Sequence, residues 1–214
     1  MTANKTTISA QIGFNLLLIT DRKNTSGRPL ADIMMCAGEA GVRAVQFREK
    51  DISLREQMSM AIEIQKITRQ FDMKLFINDR VDLCMAIDAD GVHLPSTGLP
   101  IAVARKMLGR KKIIGVSCHS VEDVVRAESE GADYALLGPI YDTPSKREYG
   151  KPLGIDYLKS VSESTTIPLF AVGGIKISNL KEVMNRGANG VAMISEIMAE
   201  KDVTGRCRDV LNLL

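Results

Sequence analysis

The chain has no tryptophan, two histidines and an aromatic content of 4%, with four tyrosines and five phenylalanines in 214 residues. With so few rings, and none interleaved with arginines, a stacking platform for nucleic acid is excluded. Charge of one sign is also lacking: 28 basic residues against 26 acidic ones leave a net charge of +2, and the only basic run is RKK at 110–112, read as a solvated turn at the lower face of the fold. No apolar run is long enough for a membrane span, and the opening MTANKTTISAQIG has no apolar core of a signal peptide, so a cytoplasmic protein with no membrane partner is expected. Cys36, Cys84, Cys118 and Cys207 are far apart, with no CxxC pair to hold a metal, and are expected to be small buried hydrophobes. There is no nucleophile elbow, and two histidines are too few for a histidine-rich metal centre.

What the chain does have is a rhythm. EAGVRAVQF, AIDADGVHL, SEGADYALL and NRGANGVAM each close a helical pattern on small residues and pass at once into an apolar run. Eight such runs are present: 14–21, 42–49, 74–79, 91–94, 112–119, 134–140, 168–174 and 190–195. Helical patterns separate them; that at 53–71 carries apolar residues at spacings of three and four, as a surface helix with one buried stripe does. Eight alternations without a linker predict a single-domain (β/α)8 TIM barrel over 13–214, with 1–12 a mobile N-terminal segment. A doubly wound open sheet is the alternative architecture.

The stretch VQFREK, 45–50, ties this fold to chemistry. Side chains alternate along a strand, so Gln46, Arg48 and Lys50 share one face while Val45, Phe47 and Glu49 share the other. In a barrel the polar face looks to the axis and rises to the catalytic, C-terminal end. Other strand ends agree: Asn78 and Asp79 finish the third run, and Ser117 and His119 share a face of the fifth. The sixth leads into a long polar loop, 142–152, with Thr143, Ser145 and Lys146, expected to be a lid or clamp. Gly173 and Gly174 end the seventh run and Ile194 and Ser195 the eighth, where barrels recurrently cradle phosphate. Three cations, one well-placed acid and a separate cradle make a site for two anionic groups: two phosphorylated partners, or one with a diphosphate leaving group.

The ordered set QFREK, FIND, GVSCHS, GPIYDTPSK, AVGGI and GVAMIS resembles the thiamine phosphate synthase and thiazole tautomerase family over nearly the whole chain. That resemblance implies a coupling of hydroxymethylpyrimidine diphosphate to a thiazole phosphate, with release of diphosphate and help from Mg²⁺. It implies further that Gln46 contacts the pyrimidine, that Arg48, Lys50, Asn78 and Lys146 bind diphosphate, and that Asp79 holds Mg²⁺. Ser117 is implied beside the leaving group, Thr143 and Ser145 around the thiazole phosphate, and Gly173, Gly174, Ile194 and Ser195 in its phosphate site. The family's synthases carry a second metal-binding aspartate after strand four. This chain has HLPSTG, with Gly98 at that place and no acidic residue from 91 to 121. The LPS wording is similar to the tautomerase branch, in which a histidine at the position of His119 moves a proton on a carboxylated thiazole phosphate. Three readings stand at this point: synthase, tautomerase, and a phosphate-binding paralogue without turnover.

Overall fold

The computed structural model describes residues 12–143 and 151–214. Eight parallel strands close into a barrel in sequence order: β1 (Leu16–Ile19), β2 (Ala44–Phe47), β3 (Lys74–Asn78), β4 (Gly91–Leu94), β5 (Ile113–Cys118), β6 (Tyr134–Leu137), β7 (Leu169–Val172) and β8 (Gly190–Met193). The helices among the described residues are α1 (Leu30–Glu39), α2 (Leu54–Gln70), α3 (Val81–Ala86), α4 (Ile101–Leu108), α5 (Val121–Ser129), α6 (Ile155–Ser162), α7 (Ile177–Asn185), α8 (Ser195–Met198) and α9 (Val203–Leu211). The open sheet is thereby excluded. Two elements lie beyond the predicted alternation, the short α8 after β8 and a 3-10 turn at Arg22–Asn24. No helix among the described residues is long and apolar enough to cross a membrane.

Local signals set the element boundaries. Ser53 caps α2 with a reciprocal pair: its hydroxyl accepts from the Glu56 amide at 3.3 Å, and Glu56 accepts from the Ser53 amide at 2.9 Å. Such a cap is worth about 1 kcal/mol. Downstream, α2 buries Ala61, Ile64, Ile67 and Thr68.

The strands divide their side chains between two cores. Val45, Phe47, Leu75, Ile77, Val92 and Leu94 join the outer one, beneath the helices. Leu17, Ile19, Ala44, Phe76, Tyr134, Leu136, Phe170 and Ala192 fill the barrel itself. The rings of Phe14, Phe76, Tyr134 and Phe170 meet there at centroid separations of 5.2–5.9 Å. Glycine makes room for them: a Cβ on Gly115 would lie 2.0 Å from Cζ of Tyr134. Residues 1–11 lie outside the described residues, but Ile12, assigned from sequence to the mobile segment, is 4% exposed and packs with Phe14 into the barrel interior. An apolar side chain next to Phe14 gains more from the barrel floor than from water.

Cys84, Cys118 and Cys207 are buried and Cys36 half-buried. Burial pushes the Cys84 thiol up to about 11 and those of Cys118 and Cys207 to about 12, so these three stay protonated. Arg110 and Lys111 are exposed as expected of the basic turn, while Lys112 is half-buried and pairs with Asp88.

Candidate active site

The upper ends of β2 to β5 carry the polar side chains. β2 is fixed against β1 by two bonds to Thr20, which is fully buried: its amide donates to Gln46 O and its hydroxyl accepts from the Arg48 amide, both at 2.9 Å. The strand is thus held straight while its alternation sends Gln46, Arg48 and Lys50 to the mouth. Glu49, on the opposite face, is 5% exposed and accepts from the Arg22 amide at 3.2 and 3.3 Å. Burial raises its pKa, against the pull of Thr20 and Arg22. The single acid of VQFREK therefore anchors the turn after β1 under the rim.

Gln46 is 2% exposed and donates through Nε2 to Oδ1 of Asn78 at 3.0 Å. Its Oε1 is buried with no partner among the described residues. Turning the amide over only exchanges which of its polar atoms is orphaned. The side chains of Arg48 and Lys50 form no ion pair or hydrogen bond among the described residues, an unusual state for two neighbouring cations. Lys50 is held below its usual pKa by partial loss of water and by Arg48, against the opposing pull of Asp79.

Asp79 follows β3 in the left-handed region, φ 66°, a conformation that short polar side chains accept more readily than others. Its amide donates to His93 O at 2.8 Å and its carbonyl accepts from Val81, which directs the carboxylate outward at the mouth. Opposite stands Gly98, closing a turn with its amide donating to Pro95 O at 2.9 Å. A Cβ there would lie 3.1 Å from Oδ1 of Asp79, so a side chain at position 98 would meet that carboxylate. Among the described residues no group of three histidine, cysteine or acidic side chains could cage a metal.

Ser117 and His119 rise from β5, as the alternation predicts, with Cys118 turned to the outer core. Ser117 Oγ bonds Nε2 of His93 at 2.9 Å, and Nδ1 of His93 bonds the Tyr134 hydroxyl at 3.1 Å. Burial, with Arg48 adding to it, pushes the His93 imidazole down to about 3, so it is neutral. His93 does not declare itself in the sequence, because its neighbours in GVHL are apolar; the registers of β4 on β5 and β5 on β6 bring Ser117 and Tyr134 to it. His119 is exposed on the rim, where Nδ1–H donates to Gly138 O at 2.6 Å.

Gly173 and Gly174 both have positive φ, 93° and 66°. A Cβ would lie 2.6 Å from Pro139 Cβ at the first and 2.7 Å from Tyr141 Cβ at the second. The pair therefore serves close approach of the β6 loop, whose Tyr141 amide donates to Gly173 O at 3.0 Å, while Gly174 O accepts from Asn179 Nδ2 at 3.0 Å. Ile194 and Ser195 follow β8, Ile194 as the cap residue and Ser195 as the first residue of α8, with Ser195 exposed. Thr143 is half-buried at the start of the β6 loop; Ser145 and Lys146 lie outside the described residues. The mouth is thus polar from β2 to β5 and apolar on the far side, where Ile19, Leu136, Val172 and Ile194 belong to the inner core.

The family profile described as thiamine monophosphate synthase matches residues 16–197. The chain belongs to that family. A thiamine-phosphate synthase of Clostridium novyi is 42% identical over 202 residues, covering 94% of this chain and 99% of its own. One from Halalkalibacterium halodurans is 41% identical over 194 residues, or 91% and 92%. Among solved structures, the thiamine phosphate pyrophosphorylase of Pyrococcus furiosus superposes with a TM-score of 0.85 at 34% identity, covering 94% and 95% of the two chains. A 3-hexulose-6-phosphate synthase of Salmonella typhimurium, at 18% identity and a TM-score of 0.70, shares the fold alone.

Proposed function

We propose that the protein is a thiamine-phosphate synthase, joining hydroxymethylpyrimidine diphosphate to thiazole phosphate and releasing diphosphate. The observation that carries the reading is the Oε1 of buried Gln46, which has no hydrogen-bond partner among the described residues, beside Arg48 and Lys50, which have no ion-pair partner among them. A buried polar atom without a partner is costly, so it marks a place where a ligand group completes the bonding. An aminopyrimidine carries both N–H donors and ring-nitrogen acceptors, so it completes Gln46 in either amide orientation, and its diphosphate offers the charge that Arg48 and Lys50 need. The relatives of similar length that bear the synthase name support the same reading.

In this reaction the thiazole nitrogen forms a bond to the pyrimidine methylene carbon, and the C–O bond to diphosphate breaks with its electron pair leaving on oxygen. Arg48, Lys50 and Asn78, with Lys146 from the β6 loop, hold the departing charge in place. Preplaced cations lower the barrier because they need not reorganise as charge develops. Gly173, Gly174, Ile194 and Ser195, with Thr143 and Ser145, take the thiazole phosphate, and the apolar half of the mouth seats the rings. Asp79 is a suitable protein ligand for Mg²⁺, which commonly uses one or two carboxylates and takes its remaining ligands from phosphates and water. Bound there, the metal would neutralise charge on the leaving diphosphate.

The test is a discontinuous assay for thiamine phosphate with purified protein, both substrates and Mg²⁺, run beside an EDTA control. Metal-dependent product is expected. No product, with a control enzyme active under the same conditions, would remove the synthase reading and turn attention to His119 as the proton-transfer base of a tautomerase. The bond that fixes its Nδ1 on Gly138 O and holds the ring at the rim favours that second reading.

A further inference from the structure

Three polar side chains run in line from the barrel interior to its mouth: Tyr134 on β6, His93 on β4 and Ser117 on β5. Tyr134 is fully buried among Phe14, Phe76 and Phe170, and among the described residues His93 is its only hydrogen-bond partner. His93 is 1% exposed, whereas Ser117 is half-buried and meets the site.

A neutral imidazole has one N–H and one lone pair, so the chain has two possible directions. In one, Ser117 donates to Nε2, Nδ1–H donates to the tyrosine oxygen, and the tyrosine hydrogen is left without an acceptor among aromatic rings. In the other, Tyr134 donates to Nδ1, Nε2–H donates to Ser117 Oγ, and every buried hydrogen is used. Orphaning a buried donor disfavours the first direction by about tenfold or more. The second leaves one hydrogen unspent, that of the Ser117 hydroxyl at the mouth.

We propose that Tyr134 and His93 are positioning residues that hold Ser117 as an obligate hydrogen-bond donor toward an anionic oxygen of the substrate's diphosphate. The assignment of that oxygen rests on the synthase reading; the direction of the chain does not. The serine cannot turn its hydrogen inward, because Nε2 then carries a hydrogen of its own and offers no lone pair to accept one. The buried tyrosine thereby sets the polarity of a group at the surface of the site.

The protein has only two histidines, so ¹⁵N-histidine labelling with two-bond proton–nitrogen NMR reads both rings, and His119→Asn assigns them. The expected result is His93 with Nε2 protonated and Nδ1 bare. Protonated Nδ1 in the unaltered protein overturns the proposal without any variant having to fold. The second arm is calorimetric binding of inorganic diphosphate with Mg²⁺. Ser117→Ala and Tyr134→Phe should each weaken it about five- to tenfold, and the double variant no further than Ser117→Ala alone. Additive losses, or full affinity in Tyr134→Phe, overturn the relay. A wild-type protein with Nε2–H on His93 and no thiamine phosphate formed would instead sink the synthase reading and leave the chain's direction standing.

Discussion

Replacing Gln46 with methionine separates stability from activity, because the same orphaned atom enters both with opposite sign. Methionine has nearly the same volume and adapts to irregular gaps, so cavity and overpacking costs are small. The substitution removes the bond to Asn78 at 3.0 Å, a loss of about 0.5–1.5 kcal/mol. It also removes a buried acceptor without a partner, worth about 1–3 kcal/mol in the other direction. Half-buried Asn78 can turn to water, so the sum is a protein as stable as the wild type or about 1 kcal/mol more so. For a chain of this size that is a rise of about 2–4 °C in Tm. The pyrimidine N–H, in contrast, loses its acceptor inside the site, and kcat/KM should fall about ten- to a hundredfold, mostly through KM for the pyrimidine diphosphate. Thermal unfolding of the ligand-free protein and initial rates at varied pyrimidine diphosphate measure the two sides. A variant that loses 2 kcal/mol of stability or more while keeping its rate would refute the reasoning, since Gln46 would then be a structural amide.

Gly98→Asp should lower the Mg²⁺ concentration needed for half-maximal rate, since its Cβ would face Asp79 Oδ1 at 3.1 Å; an unmoved metal titration tells against that pairing. The same variant brings its Cβ within 2.8 Å of the Pro95 ring, so a small loss of stability should accompany it. Glu49, with its folded pKa raised by burial, keeps a proton that the unfolded chain has already released, so stability should fall as pH rises from the ordinary carboxylate range through the raised value. Glu49→Gln should flatten that slope, and identical denaturation midpoints against pH in both proteins would show that the carboxyl titrates normally. His119→Asn should slow coupling by less than about threefold, because a group that moves a proton in the reaction contributes about 10²–10⁴-fold; a loss of that size would put His119 into the chemistry.

The barrel was legible because each strand is a short apolar run entered straight from a helix, and closing it buries both faces. The polar residues on the inner face of β2 were legible for the same reason, as Gln46, Arg48 and Lys50 interrupt an alternation that Val45 and Phe47 maintain. The Tyr134–His93–Ser117 chain was not. Its members lie 24 and 41 residues apart, and each sits in a run that reads as ordinary strand, so only barrel register joins them. Glu49 and Ile12 failed to declare themselves in a different way: a charged residue at a strand end and an apolar one in a polar leader both look exposed until a distant backbone covers them. For Glu49 that cover is the Arg22 amide, and for Ile12 it is the barrel floor.

The charges at the mouth also bear on what kind of reaction the site can run. Proton transfer needs a group with a pKa near the working pH, and His93, pushed down to about 3, cannot take a proton there. Among the described residues Lys50 and Arg48 have no ion-pair partner, and Asp79, held in the left-handed region, is near enough to act on the Lys50 ammonium. Coupling a thiazole nitrogen to a methylene carbon moves no proton between the reacting partners. It moves negative charge onto a departing diphosphate. Two cations without ion pairs among the described residues and an interior histidine kept neutral suit that movement, whereas tautomerisation would leave these groups without work and place the whole reaction on His119 at the rim.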